Sequence, residues 1–330
     1  LNTFSANLAS GCAAFGSTTG TFPEIVYLLN LFKLPVLQKL ITACTISLGC
    51  ISYQRLEVNL PAPTPAMHNT AVQHRLAEIP WQTIDVGLET AELASPQKSF
   101  IGDSKITVIR INPNRYGFKL IAASENGKQH KTAPEWCKEK KLLACVNAGQ
   151  FNLDDQLSNM GYMKNFAHVN NPNFRKINNY NSILAFNRKD SSVAPIQIID
   201  MKCQDWPLLQ TKYQSFSQSI SLIACNKQVV DNKQKGKWSM VLWAMDEQGN
   251  VLWIFTRSPY TIRQFSEILL SLPLNIKNVM YLEGGPETSL YVNTNGKKIE
   301  KMGSYETGFW ESDANTQYWP LPNVIGIVKK

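Results

Sequence analysis

Ile106, Val108, Ile109 and Ile111 recur among polar neighbours between Lys105 and Ile111, which predicts a β-strand. Asn112-Pro113-Asn114 carries turn chemistry, and Tyr116–Ala122 returns as a second strand. Leu142–Asn147 is an apolar run that reads as a buried strand. Trp238–Met245 and Val251–Thr256 flank Asp246-Glu247-Gln248-Gly249-Asn250 and predict a hairpin. Val279–Leu282 and Val324–Val328 complete the predicted strands. Helices are few. Thr132-Ala133-Pro134-Glu135 opens a short one, with Pro at an early position. Thr261-Ile262-Arg263-Gln264 fits a capping box, Ile262, Phe265, Ile268, Leu269 and Leu272 follow at helical spacing, and Pro273 stops the run. Several hairpins with a few packed helices predict a single α+β domain on a mixed or antiparallel sheet.

Three domain segments follow from the pattern: 1–50 as leader and export signal, 51–80 as tether, and 81–330 as the folded domain. Residues 1–23 carry no charge and are rich in Ser, Thr, Gly and Ala. They read as a leader, or as translated sequence upstream of the true start. Lys33 and Lys39 precede the uncharged run 40–54, which is shorter than the roughly 20 apolar residues a bilayer span needs but matches the core of an export signal. Ser47-Leu48-Gly49-Cys50 resembles a lipoprotein signal, with Cys50 as the lipidated residue. An ordinary cleaved signal or an N-terminal helix is the alternative. Leu60-Pro61-Ala62-Pro63-Thr64-Pro65 is a stiff, extended tether. The expected location is therefore the periplasm or cell envelope.

The chain has 330 residues, 44% hydrophobic, with 33 Lys and Arg against 25 Asp and Glu. This composition excludes collagen-like and wholly disordered classes. The net charge of +8 is spread along the chain without an Arg/Lys stripe interleaved with aromatics, so nucleic acid is not an expected partner. Of seven cysteines, Cys203 and Cys225 flank a segment that leaves one strand and enters another, and an oxidising compartment would pair them. Cys145 sits in an apolar run and reads as a small hydrophobe. Four His without metal-ligand spacing predict no metal site. Ca²⁺ is compatible with the oxygen donors present, but no spacing demands it.

Two strand-to-loop junctions carry candidate chemistry: Val146-Asn147-Ala148-Gly149-Gln150-Phe151 and Leu282-Glu283-Gly284-Gly285-Pro286-Glu287. In each, an apolar strand ends in a polar side chain followed by Gly, which lets a ligand approach the main chain. Spacing alone also fits two tight turns.

These junctions, together with Gly161-Tyr162, Asn181-Ser182, Gln218-Ser219, Arg257-Ser258-Pro259-Tyr260 and Gly303-Ser304-Tyr305-Glu306-Thr307-Gly308-Phe309, resemble the motifs of the phosphodiester glycosidase family, in a bacterial branch, over residues 81–330. The family's second motif usually has Asp, Gly and Ser where this chain has Glu283, Pro286 and Glu287. The resemblance implies an exported hydrolase that cleaves a sugar-1-phosphodiester at the anomeric carbon. Oxocarbenium character then builds on the sugar, and a carboxylate stabilises or attacks it. Glu283 is the expected leading carboxylate and Glu306 the second. Arg257 is the expected phosphate clamp, and Asn147 the ligand of sugar hydroxyls. Gly149, Gly284 and Gly285 would bring main chain close, and Asn181 and Ser219 would line the site. His168 is an acid/base candidate or an exposed loop residue. The expected partners are a glycan or sugar phosphodiester and, through Cys50, a membrane. The Glu and Pro departures motivate an alternative, a non-catalytic envelope module that binds glycan phosphodiesters. The oligomeric state is open.

Overall fold

The structure is a computed structural model that describes residues 78–330. The leader, the export signal with Cys50 and all but the end of the tether lie outside the described residues. Three antiparallel sheets dominate, and the helices are few and short, so the α+β expectation resolves to a predominantly β molecule with no parallel pairing among the described strands. The seven-stranded sheet has the spatial order Gln82–Asp85, Leu88–Ala94, Lys105–Ile111, Val251–Tyr260, Trp238–Asp246, Ile276–Gly284, Ser221–Ile223. One five-stranded sheet runs Lys297–Met302, Ser289–Thr294, Ala144–Asn147, Asn323–Lys329, Tyr116–Ala122. The other runs His168–Asn171, Met163–Asn165, Ser215–Ser219, Ser182–Phe186, Ile196–Asp200.

The predicted hairpin forms with Trp243 opposite Trp253. Their rings meet edge-on at 5.6 Å, and Phe118 from a five-stranded sheet reaches Trp243 at 5.5 Å. These rings, with Ile109, Val146 and Ile325, form a core between the two sheets. Burying rings of this size is the main source of cohesion, and truncating one such residue costs about 3–5 kcal/mol. Lys105–Ile111 and Tyr116–Ala122 are both strands, yet they do not pair. The Asn112 turn carries the chain from one sheet to another, where Tyr116–Ala122 pairs with Asn323–Lys329.

The helix Ile262–Ser271 covers the opposite face of the seven-stranded sheet through Phe265, Ile268 and Leu269. Its cap is half of the predicted box. The Thr261 hydroxyl accepts from the Gln264 N–H at 3.1 Å, while the Gln264 amide turns to Gln97. In the helix Ala133–Lys140, Glu135 accepts from both the N–H and the hydroxyl of Thr132.

Cys203 and Cys225 form the expected disulfide, with Cα atoms 6.8 Å apart. It staples the segment after the edge strand Ile196–Asp200 to the one after Ser221–Ile223, an edge of the seven-stranded sheet. Cys137 and Cys145 are buried free thiols, and burial pushes the Cys145 thiol up. No helix among the described residues is long and apolar enough to cross a membrane.

Candidate functional site

The chain leaves the sheet of Ser215–Ser219 and enters the seven-stranded sheet at Ser221, with Ile220 as the joint. The Ile220 carbonyl accepts from the Tyr281 N–H at 2.9 Å. Beside this joint lies a cleft of about 220 Å³. Its walls include Gln150, Arg175, Tyr180, Trp238, Tyr281 and Glu306. The residues named come from five separate stretches of sequence.

Each wall is fixed by identifiable contacts. The Gln218 side chain is fully buried and spends its amide on the segment opposite. It donates to the carbonyls of Arg175 and Tyr180 at 2.8 and 2.7 Å, and accepts from the N–H groups of Arg175 and Tyr162 at 3.0 and 2.9 Å. Phe174 stacks on Tyr162 at 4.5 Å, which anchors the residue before Arg175. The Tyr180 hydroxyl donates to Gln150 at 2.7 Å. Asn178 and Asn179, both left-handed, complete the turn between Arg175 and Tyr180, and Asn tolerates that geometry better than most residues.

Arg175 is the cation of this cleft. Its guanidinium lies 5.1 Å from the Tyr180 ring, its Nε is buried without a partner, and no carboxylate among the described residues pairs with it. Sequence reasoning missed it because nothing near it in the chain is acidic, aromatic-patterned or Gly-rich enough to form a motif. The buried Gln218 would have been the only signal.

Of three neighbouring acids, Glu306 lines the cleft, and Glu283 and Glu287 are close enough to feel its charge. Glu283 lies in the strand Ile276–Gly284, which is longer than the predicted Val279–Leu282 and takes the acid into the sheet opposite Val241. It is only 7% exposed. One carboxylate oxygen accepts from the Gly284 N–H at 3.1 Å, and the other is buried with no partner. Burial, then the negative charge of Glu287, raise its pKa well above the usual glutamate range. The Gly284 N–H opposes this, and Glu306 adds to it. Glu287 follows the turn Gly285-Pro286. Burial and Glu306 push it up to about 7, against a backbone hydrogen bond that lowers it. Glu306 is raised by burial alone. Tyr281, buried beside Glu283, is pushed up chiefly by burial and then by that acid.

The two glycines of the second motif are demanded by these neighbours. A Cβ on Gly284 would collide with the Tyr281 hydroxyl and the Trp238 indole. Gly285 has φ +68°, and the Glu306 carboxylate fills the space beside its Cα. Both therefore make room for side chains of the protein, which replaces their expected role as main-chain ligand contacts. Gly149, with φ +144°, does the same for Asn159, whose Oδ1 would lie 2.5 Å from an added Cβ.

Several expected site residues act elsewhere. Asn147 is buried and its amide is spent within the protein. It donates to the Glu287 carbonyl at 3.0 Å and accepts from the Ser289 N–H at 2.7 Å, so it holds the loop that carries Glu287 and leaves the cleft contact to Gln150. Arg257, expected as the phosphate clamp, does not line this cleft and spends its guanidinium within the protein. It pairs with Asp313 at 2.6 Å and donates to the carbonyls of Met302, Asp313 and Asn315, because its strand end faces the loop before the closing strand. Ser219 is fully buried, with an unpartnered hydroxyl, and does not line the cleft. Asn181 is held by its main chain, which accepts from Met201, and does not reach the cleft. His168 pairs with the Ser124 hydroxyl at 2.9 Å. Glu306 does line the cleft, as expected of a second carboxylate.

Among the described residues, the only trio of Asp, Glu, His or Cys with ligand atoms within 4.8 Å of one another is Asp200, Cys203 and Cys225, and the disulfide uses both sulfurs. Glu283, Glu287 and Glu306 do not converge closely enough to form such a trio.

Residues 140–328 match the model of a family described as phosphodiester glycosidase. No curated protein matches the chain. Among solved structures, it is similar to the catalytic domain of zebrafish N-acetylglucosamine-1-phosphodiester alpha-N-acetylglucosaminidase auto-inhibited by pro-peptide. That likeness has a TM-score of 0.49 at 12% identity and covers 76% of this chain and 86% of that one. It is also similar to a hypothetical protein from Synechocystis, with a TM-score of 0.49 at 13% identity over 76% of this chain and 64% of that one.

Proposed function

The chain belongs to the phosphodiester glycosidase family, and from that membership we propose that it hydrolyses a sugar-1-phosphodiester, breaking the bond between the anomeric carbon and the phosphate oxygen. The observation that carries this reading is the pairing, across one cleft, of the unpartnered Arg175 guanidinium with Glu306 backed by Glu283 and Glu287.

Arg175 binds the phosphate through charge-assisted hydrogen bonds and stabilises the leaving phosphate as the bond breaks. Glu306, the carboxylate that lines the cleft, faces the sugar and stabilises or attacks the developing oxocarbenium ion. Glu283 takes a different role from the leading nucleophile expected of it. Burial and two neighbouring acids raise its pKa well above the usual glutamate range, which suits it to hold and donate a proton from beside the cleft. Glu287, poised near neutrality, exchanges protons with water. Phosphate is a good leaving group, so the reaction depends more on Arg175 and Glu306 than on acid assistance.

The Cys203–Cys225 disulfide supports an oxidising compartment, and with it the export and the Cys50 anchor read from the leader. The substrate would then be a glycan of the envelope or the medium.

The test is incubation with a panel of hexose- and N-acetylhexosamine-1-phosphate methyl diesters, reading free reducing sugar. Release of sugar, reduced at least about 100-fold in Glu306→Gln, is expected. Binding without release would instead identify a glycan-phosphodiester binding module.

A further inference from the structure

The turn that carries Glu306 also carries the most exposed aromatic cluster near the cleft. The Glu306 N–H donates to the Trp310 carbonyl at 2.9 Å, and the Trp310 N–H donates back at 2.9 Å. Gly308, at φ +80°, lets the chain reverse between them. Phe309 is 60% exposed and Trp310 37% exposed. Both lean edge-on against Trp319, at 6.2 and 5.6 Å. Folding leaves these rings in water although the core has ample apolar surface. A contiguous exposed apolar patch of this kind marks a binding surface.

The neighbouring segment is cationic. The Lys237 N–H donates to the Thr307 hydroxyl of the same turn at 3.0 Å, its carbonyl accepts from the Thr307 N–H at 3.0 Å, and its ammonium lies 5.1 Å from the Phe100 ring, while Lys233 and Lys235 stand exposed on either side of Gln234, which lines the cleft. Among the described residues, no carboxylate lies within salt-bridge distance of these three lysines.

We infer that this aromatic turn and its lysines form a subsite for a phosphate-bearing glycan chain, whose successive sugars lie on Phe309 and Trp310 while the scissile diester enters at Arg175 and Glu306. Resting on the function proposed above, this names the substrate class as polymeric. Two features select this occupant. Flat aromatic faces match the CH faces of sugar rings, and the lysines of the neighbouring segment, which no carboxylate pairs, match phosphates spaced along a chain. The turn also runs directly into the cleft through Glu306. A membrane surface or a second copy of the protein seated on the same rings would cap the entrance.

The test compares a hexose-1-phosphate methyl diester with a synthetic trimer of the same sugar joined by phosphodiesters, using the full chain. The kcat/KM ratio of trimer to methyl diester is expected to be at least about tenfold in the unaltered protein, arising in KM. Trp310→Ala should bring it close to one, and Trp310→Phe should restore most of it. A purely structural role of Trp310 in holding Glu306 would lower both rates and leave the ratio unchanged. Lys233→Gln with Lys235→Gln should lower the ratio and weaken its dependence on salt. A ratio near one in the unaltered protein, or one insensitive to Trp310→Ala, overturns the subsite while leaving the hydrolase standing. If neither diester is cleaved, the hydrolase falls, and calorimetric binding of the trimer decides the subsite: affinity lost in Trp310→Ala supports it, and unchanged or absent affinity overturns it. Trp310-dependent sedimentation with phosphatidylglycerol vesicles, or a Trp310-dependent dimer, without trimer binding also overturns it.

Discussion

The Glu306 carboxylate occupies the space beside Gly285 that any other residue's Cβ would need. The carboxylate proposed to face the sugar and a glycine of the other motif are thus one unit. Gly285→Ala must either expel the carboxylate or distort a backbone with φ +68°, a conformation costly for a residue with a Cβ. Activity on the methyl diester should fall by about 100-fold. Stability should fall by about 1–3 kcal/mol, measured by denaturant unfolding.

The buried acids predict a pH dependence of stability. Glu283, Glu287 and Glu306 all have raised folded-state values, so the folded protein holds their protons longer than the unfolded chain does. Their contribution is complete below the ordinary glutamate range and is lost as pH rises through the folded values, which for Glu287 means about 7. The Tm should therefore decline from about pH 5 to pH 8. Glu287→Gln and Glu283→Gln should flatten that decline. A Tm that rises across this window would contradict the burial of these groups.

Glu283→Gln removes the proposed proton donor while keeping its shape. The kcat should drop by about tenfold, less than in Glu306→Gln because phosphate leaves readily, with little change in KM, and the fold should persist. A variant with unaltered kcat would remove Glu283 from the mechanism.

Two arginines should separate cleanly. Arg175→Met should raise KM for a phosphodiester by about tenfold or more, with only a small effect on unfolding, since its guanidinium supports no ion pair. Arg257→Met should do the reverse. It cuts the ties to Asp313, Met302 and Asn315 and should cost about 2–4 kcal/mol of stability, with KM nearly unchanged.

Replacing both Cys203 and Cys225 by Ala should lower stability by about 3 kcal/mol, given the 22-residue separation, without altering KM. Unfolding curves with and without reductant, compared with the variant, check this.

Strand positions were legible because their alternation is strong: Lys105–Ile111 and Tyr116–Ala122 stand where the pattern puts them. Their partners were not legible, because alternation carries no information about which sheet a strand joins. The same limit governs the site. The motif glycines stood out at strand-to-loop junctions and Glu306 through the family resemblance, and Glu306 does reach the cleft. Asn147 and Arg257 stood out too, but a polar group at a strand end is equally suited to holding a neighbouring loop, and the loops it meets are distant in sequence. Arg175 is brought to the cleft by Gln218, 43 residues away, a relationship local patterning cannot contain.

The strand Asn323–Lys329 lies between Ala144–Asn147 and Tyr116–Ala122, and Val324 pairs with Asn147, the residue that fastens the Glu287 loop. Two ribbons separated by roughly two hundred positions from their filler must wait, side by side and unzipped, until it arrives. On the proposed function, hydrolytic power would follow only at the closing stage of assembly, once the last ribbon seats the residue that fastens the Glu287 loop.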